Sequence, residues 1–532
     1  MLKYKYILFL IMLSPALFGD NSFKFRIMLK DKGPIPFSID QPEKFLSSKA
    51  IERRMRQNIP IDESDLPISD QYISVIESLG CVTVAKSKWL ASVTVHCNDS
   101  NLIDSIKKLD FVDDAVFVWK SAKRKVKRND TKPSVSNNSD NHYGVAYKHI
   151  ALHRGDSLHR AGYRGEGMEI AVIDAGFENL DENLLLSDVM VKGFKDFVYS
   201  GDSSYYSSHG VNVLSCMATN HPTIYVGTAP KAKYWLLRSE DPASEFPVEE
   251  DYWVTAAEYA DSVGVDLINS SLGYTSFDLP AESFNYEGLD GKTFFISRGA
   301  SIAASKGMFV VISAGNEGAK QWRHISAPGD PESVFTIGAI RSDSLVASFS
   351  SRGPTSDLRI KPDVVALGNN CSVIDPNGAI VPNSGTSLSS PIMCGLVACL
   401  WQAFPHFTSN QLADIVRQSA NKYTNPDNDY GYGIPDMVLA MDIAGNLTGI
   451  EKNFDSDRFK IISDSAGNVL IKKNEDDGIE YAVTIYTIDG RLVLSDSFVT
   501  QDKIFKLPLN DKRMYIINIK CRKFAISKKI FV

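Results

Sequence analysis

Apolar residues along this chain change their spacing several times, and each change marks a new structural element. Residues 168–173, 233–238, 265–269, 308–313 and 334–338 are short runs of aliphatic and β-branched residues. Runs of that length with little alternation are strands buried on both faces. Between them, residues 251–263 and 296–306 place apolar side chains at helical spacing. Strands alternating with helices predict an α/β fold, a parallel sheet with helices on both faces. Ligands of such sheets bind outside the carboxyl ends of the strands. The flanking regions read differently. Residues 70–79 and 102–109 are helical in pattern, 81–85 and 90–95 alternate like paired strands turning near Trp89, and 115–118 close as a strand, which makes a small α+β unit. Beyond residue 449 the stretches 479–489, 491–498 and 514–519 alternate with period two, and Asp489-Gly490 is a hairpin turn. They predict a small β-sandwich.

Composition narrows the class. A chain of 532 residues is too long for one ordinary core, and 44% hydrophobic with 23% charged residues is globular. The net charge of −7 argues against a nucleic-acid partner. Residues 1–19 put Lys3 and Lys5 ahead of the apolar run 7–13 and then small residues, the pattern of a signal peptide. That run is too short to span a bilayer, and no later segment is long and apolar enough to do so. Seven cysteines cannot all pair within one chain, and their spacings form no zinc pattern. If 81–84 and 90–97 pair as a hairpin, Cys81 and Cys97 fall opposite each other within bridging distance. Residues 121–142 read as a basic and polar linker, open to proteolysis, between a unit over 20–120 and a central region over 143–446. The last unit covers 449–532.

Four central residues carry candidate chemistry. Ser387 follows Gly385-Thr386 and precedes an apolar helical run, with Pro391 expected in the first turn of that helix. A serine there has a free backbone N–H and the favourable helix dipole for an oxyanion, although a serine before a helix is also an ordinary cap. Asp174 ends the strand 170–173 before Ala175-Gly176, where a carboxylate can project over the sheet edge or cap the next segment. His209 precedes Gly210 and opens the apolar helix 211–218. Asn316 leaves a strand on a glycine turn, as turn asparagines do. Together they supply nucleophile, base, orienting acid and oxyanion donor.

The order Asp, His, Ser is that of subtilisin, and the surrounding residues extend the likeness. The segment from Ala171 through Asp174 to Gly176, Ser208-His209-Gly210, residues 313–318 around Asn316, and residues 385–391 around Ser387 resemble the four signature blocks of the subtilases. Residues 349–354 and 361–363 match further blocks. Val211 and Ala175 depart from the residues common at those positions; neither carries a proton. The resemblance implies a subtilisin-like sheet, Asp174, His209 and Ser387 as catalytic triad, and Asn316 as side-chain oxyanion donor. It also implies Ser271, Leu272 and Gly273 as the substrate-binding strand end, polypeptide substrates, no cofactor and no catalytic metal. Residues 49–57 and 65–67 resemble the prosegment of secreted Bacteroidota subtilases, which assists folding and blocks the cleft until removed. Residues 484–491 and the ending 529–532 look like the C-terminal sorting domain of type IX secretion. The reading is therefore a secreted or cell-surface serine endopeptidase of a Gram-negative bacterium. Its own prosegment is the inhibitor, and the secretion machinery is a partner. The alternative is a catalytically silent subtilase-fold surface binding protein. By the same resemblance, Glu240, Asp241, Glu245, Glu249, Glu250 and Asp251 would give the cleft a negative rim; the alternative, which the residues favour slightly, is a solvated acidic loop followed by a helix N-terminus, where carboxylates are stabilised anyway.

Overall fold

A computed structural model describes residues 22–121, 141–198 and 207–448, and the stretches 459–463, 468–473, 479–487, 491–499, 502–506, 514–520 and 525–531. The signal-peptide segment, most of the basic linker and the Asp489-Gly490 turn lie outside the described residues. The chain splits into two compact units, the larger ending at Asp436 and the smaller made of the residues from Met437 on together with His159–Gly162.

The larger unit is built on seven parallel strands. In spatial order they are Val364–Leu367, Phe335–Ile340, Phe309–Ser313, Leu267–Ser270, Glu169–Asp174, Lys233–Arg238 and Met190–Asp196. Period two sorts their side chains. Ala171, Ile173, Ile268, Val310 and Ile312 pack in one core with Trp253, Ala257 and Ala260 of the helix Val248–Val263 and with Ile296 and Ala300 of the helix Phe295–Ser305. Asn269 points the other way, accepting a hydrogen bond of 2.8 Å from Ser390 on the helix Thr386–Ala403. Both faces are thus covered, which is why the inner strands read as unbroken apolar runs. Chain order places the first strand, Glu169–Asp174, between strands wound to either side, so the switch point lies at Asp174 and the neighbouring strand end Ser270.

Residues 22–121 form a four-stranded antiparallel sheet in the order Val82–Ser87, Ser92–Cys97, Phe23–Leu29, Val112–Lys120, with the helices Ser48–Gln57 and Asp70–Glu77. One face has its own core of Phe25, Ile27, Ile76, Val93, Val95 and Ile106. The other rests on the helix Val248–Val263, where Arg26 holds Asp251 (2.6 and 2.8 Å) and Glu250 (3.3 Å). Glu258 of the same helix accepts from the Ser87 hydroxyl at 2.6 Å and from the Lys88 and Trp89 backbone N–H groups at 3.0 Å each. Asp261 takes Arg53 and Arg54, both almost wholly buried. Val82 pairs with His96, so Cys81 and Cys97 face one another as the pattern required; they stand as buried free thiols rather than a bridge.

The smaller unit begins with the helix Met437–Thr448. Its strands form an antiparallel sheet of Phe459–Ser463, Asn468–Lys473 and Asp502–Lys506, and another of Leu492–Phe498, Tyr481–Thr487, Met514–Lys520 and Ala525–Phe531. Phe459, Val469, Ile471, Tyr481, Val483, Phe498, Ile517 and Ile519 make one core from both sheets, the sandwich that the alternation predicted.

Candidate active site

Every candidate residue lies on the carboxyl edge of the parallel sheet. Asp174 is the last residue of its strand and is 0% exposed. Its Oδ1 accepts from its neighbour, the Ala175 N–H, at 2.8 Å and from His209 Nδ1 at 2.7 Å. His209 is the first residue of the helix His209–Ala218. The close approach of that helix to the strand depends on Gly210: its N–H donates to the Gly176 carbonyl at 3.1 Å, and a Cβ there would stand 2.3 Å from the same oxygen. Burial alone would lower the His209 pKa, but the Asp174 carboxylate, by charge and hydrogen bond, and Glu240 more weakly raise it above the ordinary histidine value. The contact through Nδ1 leaves Nε2 as the proton acceptor.

Ser387 is the second residue of the helix Thr386–Ala403, so its backbone N–H has no partner within the helix. The helix starts beside Ser387, at Thr386, as the sequence indicated, but Pro391 lies inside it and not in its first turn. The reason is a long-range contact. A proline at 391 cannot donate to the carbonyl four residues back, that of Ser387, and the Ser271 hydroxyl fills the vacancy at 2.8 Å. The Ser387 hydroxyl in turn donates to the Ser271 carbonyl at 3.2 Å. Nucleophile candidate and strand end are thus tied reciprocally, and this structure has no hydrogen bond between Ser387 and His209. Catalytic hydrogen bonds are often long or unmade until substrate is bound.

Asn316 lies on the turn after the strand Phe309–Ser313. Its Oδ1 accepts from the Thr386 N–H at 2.9 Å and the Thr386 hydroxyl at 3.1 Å, while that hydroxyl accepts from the Gly315 N–H at 3.1 Å. With its oxygen committed to Thr386, the amide has Nδ2 as its remaining polar group, a donor. Of the strand-end residues, Ser271 and Leu272 are buried and Gly273 is exposed. Gly273 is followed by Tyr274, whose backbone exchanges hydrogen bonds of 2.8 and 3.2 Å with Ala327.

The negative rim needs correction. Glu249, Glu250 and Asp251 are buried, and the last two hold Arg26 of the N-terminal sheet. Burial raises Glu250 above the usual glutamate range, and Arg26 opposes the rise. Glu240 is half-buried; it accepts from the Tyr274 hydroxyl at 2.7 Å and is pushed up to about 7 by burial and the Asp174 charge, against that hydrogen bond and His209. Sequence reasoning missed Thr386, Tyr274 and the receptor role of Glu258. Thr386 was readable as the residue beside the serine; Glu258 carried no signal, since it looks like any helical glutamate. Among the described residues there is no group of three or more His, Cys, Asp or Glu placed to hold a metal.

Comparison with known proteins gives two family matches. Residues 165–433 match the Subtilase family, and residues 24–135 match the Peptidase S8 propeptide domain of Bacteroidota. Among characterised proteins, subtilisin E of Bacillus subtilis is 29% identical over 317 residues, which is 58% of this chain and 76% of the relative. A subtilisin of Bacillus pumilus is 30% identical over 295 residues, 55% of this chain and 97% of the relative. The M-protease of Shouchella clausii is 27% identical over 286 residues, 53% of this chain and 67% of the relative.

Proposed function

Because this chain belongs to the subtilase family of serine proteases, we propose that it is a secreted endopeptidase that cuts polypeptides with Ser387, His209 and Asp174. The Asp174–His209 pair at 2.7 Å on the same sheet edge as Ser387, at its helix start, is the observation that carries this reading. Ser387 rotates from the Ser271 carbonyl toward His209 Nε2 and attacks the peptide carbonyl while His209 takes its proton. Asp174 steadies the imidazolium and fixes the ring. The oxyanion is held by the Asn316 Nδ2 and the Ser387 N–H. His209 then returns the proton to the leaving amine, and water repeats the sequence on the acyl-enzyme. Ser271, Leu272 and Gly273 lie where an extended substrate strand would pair.

In this reading residues 20–120 are the prosegment, covering the helix Val248–Val263 until the linker over 121–142 is cut, and residues 449–532 direct export through type IX secretion. Fluorophosphonate labelling followed by peptide mapping is the test: the label is expected on Ser387, and Ser387→Ala should abolish both labelling and linker cleavage in a protease-free host. A properly folded protein that takes no label would make it a silent binding protein instead.

A further inference from the structure

Cys81 and Cys97 are the thiols of the N-terminal sheet, and the mechanism uses neither. They bracket one hairpin. The strands Val82–Ser87 and Ser92–Cys97 pair antiparallel with Val82 opposite His96 and Thr83 opposite Val95, so the next step outward sets Cys81 opposite Cys97. Directly opposed residues of an antiparallel pair lie about 4.5 or 5.5 Å apart at Cα, and a disulfide spans about 4.4 to 6.8 Å. Both side chains belong to the core of Ile76, Val93 and Val95, with Cys81 5% and Cys97 1% exposed. The other described cysteines have no such counterpart: Cys371 stands opposite Asn383, and Cys216, Cys394 and Cys399 lie on helices.

The two sulfurs are also unequal. A hydrogen bond from Cys97 holds the Cys81 thiol below its ordinary pKa, against the effect of burial, and the same bond with burial raises Cys97. Cys81 is therefore the readier thiolate, with a second sulfur beside it. The hairpin they close carries the docking turn of the sheet. Glu258 accepts from Ser87, Lys88 and Trp89, and Trp89 enters the core beneath the helix Val248–Val263. Between that turn and the cysteines the register slips at Thr83 and Ala85, so only the pairs at Val82 and Thr83 hold the far end of the ladder. A slip of this kind leaves pairing locally weak, and a covalent bond at the open end would fix it.

We propose that Cys81 and Cys97 are oxidised to a disulfide as the exported precursor folds, and that this bridge holds the Trp89 hairpin in the shape that covers the helix Val248–Val263. Oxidation belongs outside the cytoplasm, so the proposal rests on the secreted reading above. The oxidant is another disulfide, of a small molecule or of a thiol oxidoreductase. The Cys81 thiolate attacks one of its sulfurs and expels the other as a thiolate. Cys97 then loses its proton and attacks the Cys81 sulfur, expelling the second thiolate. The hairpin gives up two electrons and two protons, and the oxidant's disulfide becomes two thiols. Since both sulfurs are closed off in the finished sheet, exchange takes place during folding and the completed bond is shielded. Closing the loop over residues 82–96 restricts the open hairpin far more than the folded one, and should make opening rarer by roughly 10²-fold.

The experiment uses the full-length precursor with Ser387→Ala, made once by export to an oxidising bacterial periplasm and once in a reducing cytoplasm. Each preparation is alkylated after denaturation and mapped by mass spectrometry, and the native protein is digested with trypsin. The exported precursor should yield one pair of peptides joined through Cys81 and Cys97, with neither thiol alkylated. Its N-terminal sheet should survive digestion at least about tenfold longer than that of the cytoplasmic preparation, or of the exported precursor that also carries Cys81→Ala and Cys97→Ala. The reduced preparation serves if that variant does not fold. Alkylation of both thiols in the exported precursor overturns the proposal, as does pairing of either with another cysteine. A bridge that leaves the digestion rate unchanged overturns its hold on the hairpin. None of these readouts needs catalysis, so an exported precursor with native Ser387 that carries the bridge but takes no fluorophosphonate overturns the peptidase reading and leaves the disulfide standing.

Discussion

Asn316 can serve an oxyanion only with its amide turned nitrogen-outward, and the Thr386 N–H and hydroxyl set that orientation. Asn316→Ala is expected to lower kcat by roughly 10² to 10³, the loss seen when the corresponding donor is removed from subtilisin. Thr386→Val keeps the N–H and loses the hydroxyl, so it should cost less, on the order of tenfold in kcat at nearly constant KM. Equal losses in the two variants would mean that Thr386 does more than orient the amide. Glu240 yields a pH signature. His209 must be neutral to accept a proton, so kcat/KM falls as pH drops through its raised pKa. Removing the Glu240 charge lowers that pKa, and Glu240→Gln should therefore move the acid limb to lower pH for an uncharged substrate. Glu240 itself titrates at about 7, so the wild-type limb should also be broader, with both groups sharing it. A limb that stays put or moves up contradicts the coupling.

At the level of elements, the helix Thr386–Ala403 shows a proline placed where it weakens the helix and frees the Ser387 carbonyl for Ser271. Pro391→Ala restores an N–H to compete with the Ser271 hydroxyl. Since interior proline costs a helix up to ~3 kcal/mol, the variant should unfold at the same or higher temperature while kcat drops; a lower Tm with unchanged kcat would refute this. The buried strands were legible because both their faces are covered, and four candidate residues were legible because strand ends and helix starts announce themselves in glycine and apolar runs. Other elements hid for physical reasons. The strand Met190–Asp196 lies at the sheet edge with mostly exposed side chains, so it lacks an apolar run. In Phe23–Leu29, Lys24 and Arg26 interrupt the pattern because their partners, Tyr252 and Asp251, are more than 200 positions away. Pro391 misled by its usual preference, which a long-range hydrogen bond overrode.

Across the larger unit, the N-terminal sheet is held by aromatic residues, Trp89 and Trp119, and a row of charges. Trp89 sits in the same core as Ala256, Ala257 and Ala260, and Glu258 receives the turn that carries it. Trp89→Ala should weaken inhibition of the mature enzyme by its released prosegment by about 2 to 4 kcal/mol in binding free energy. Glu258→Gln should cost about 1 to 3 kcal/mol through its hydrogen bonds to Ser87, Lys88 and Trp89. Inhibition constants for the prosegment against each variant provide the check, and unchanged values would place the anchor elsewhere. The row of charges also has a consequence once the sheet departs. Residues 20–128 contain 19 Lys and Arg against 15 Asp and Glu, while the helix they cover carries Asp251, Glu258 and Asp261 along one side. Maturation takes away the cations and leaves the carboxylates facing water, so the mature enzyme should run toward the anode ahead of its precursor in a native gel and be retained longer on an anion exchanger.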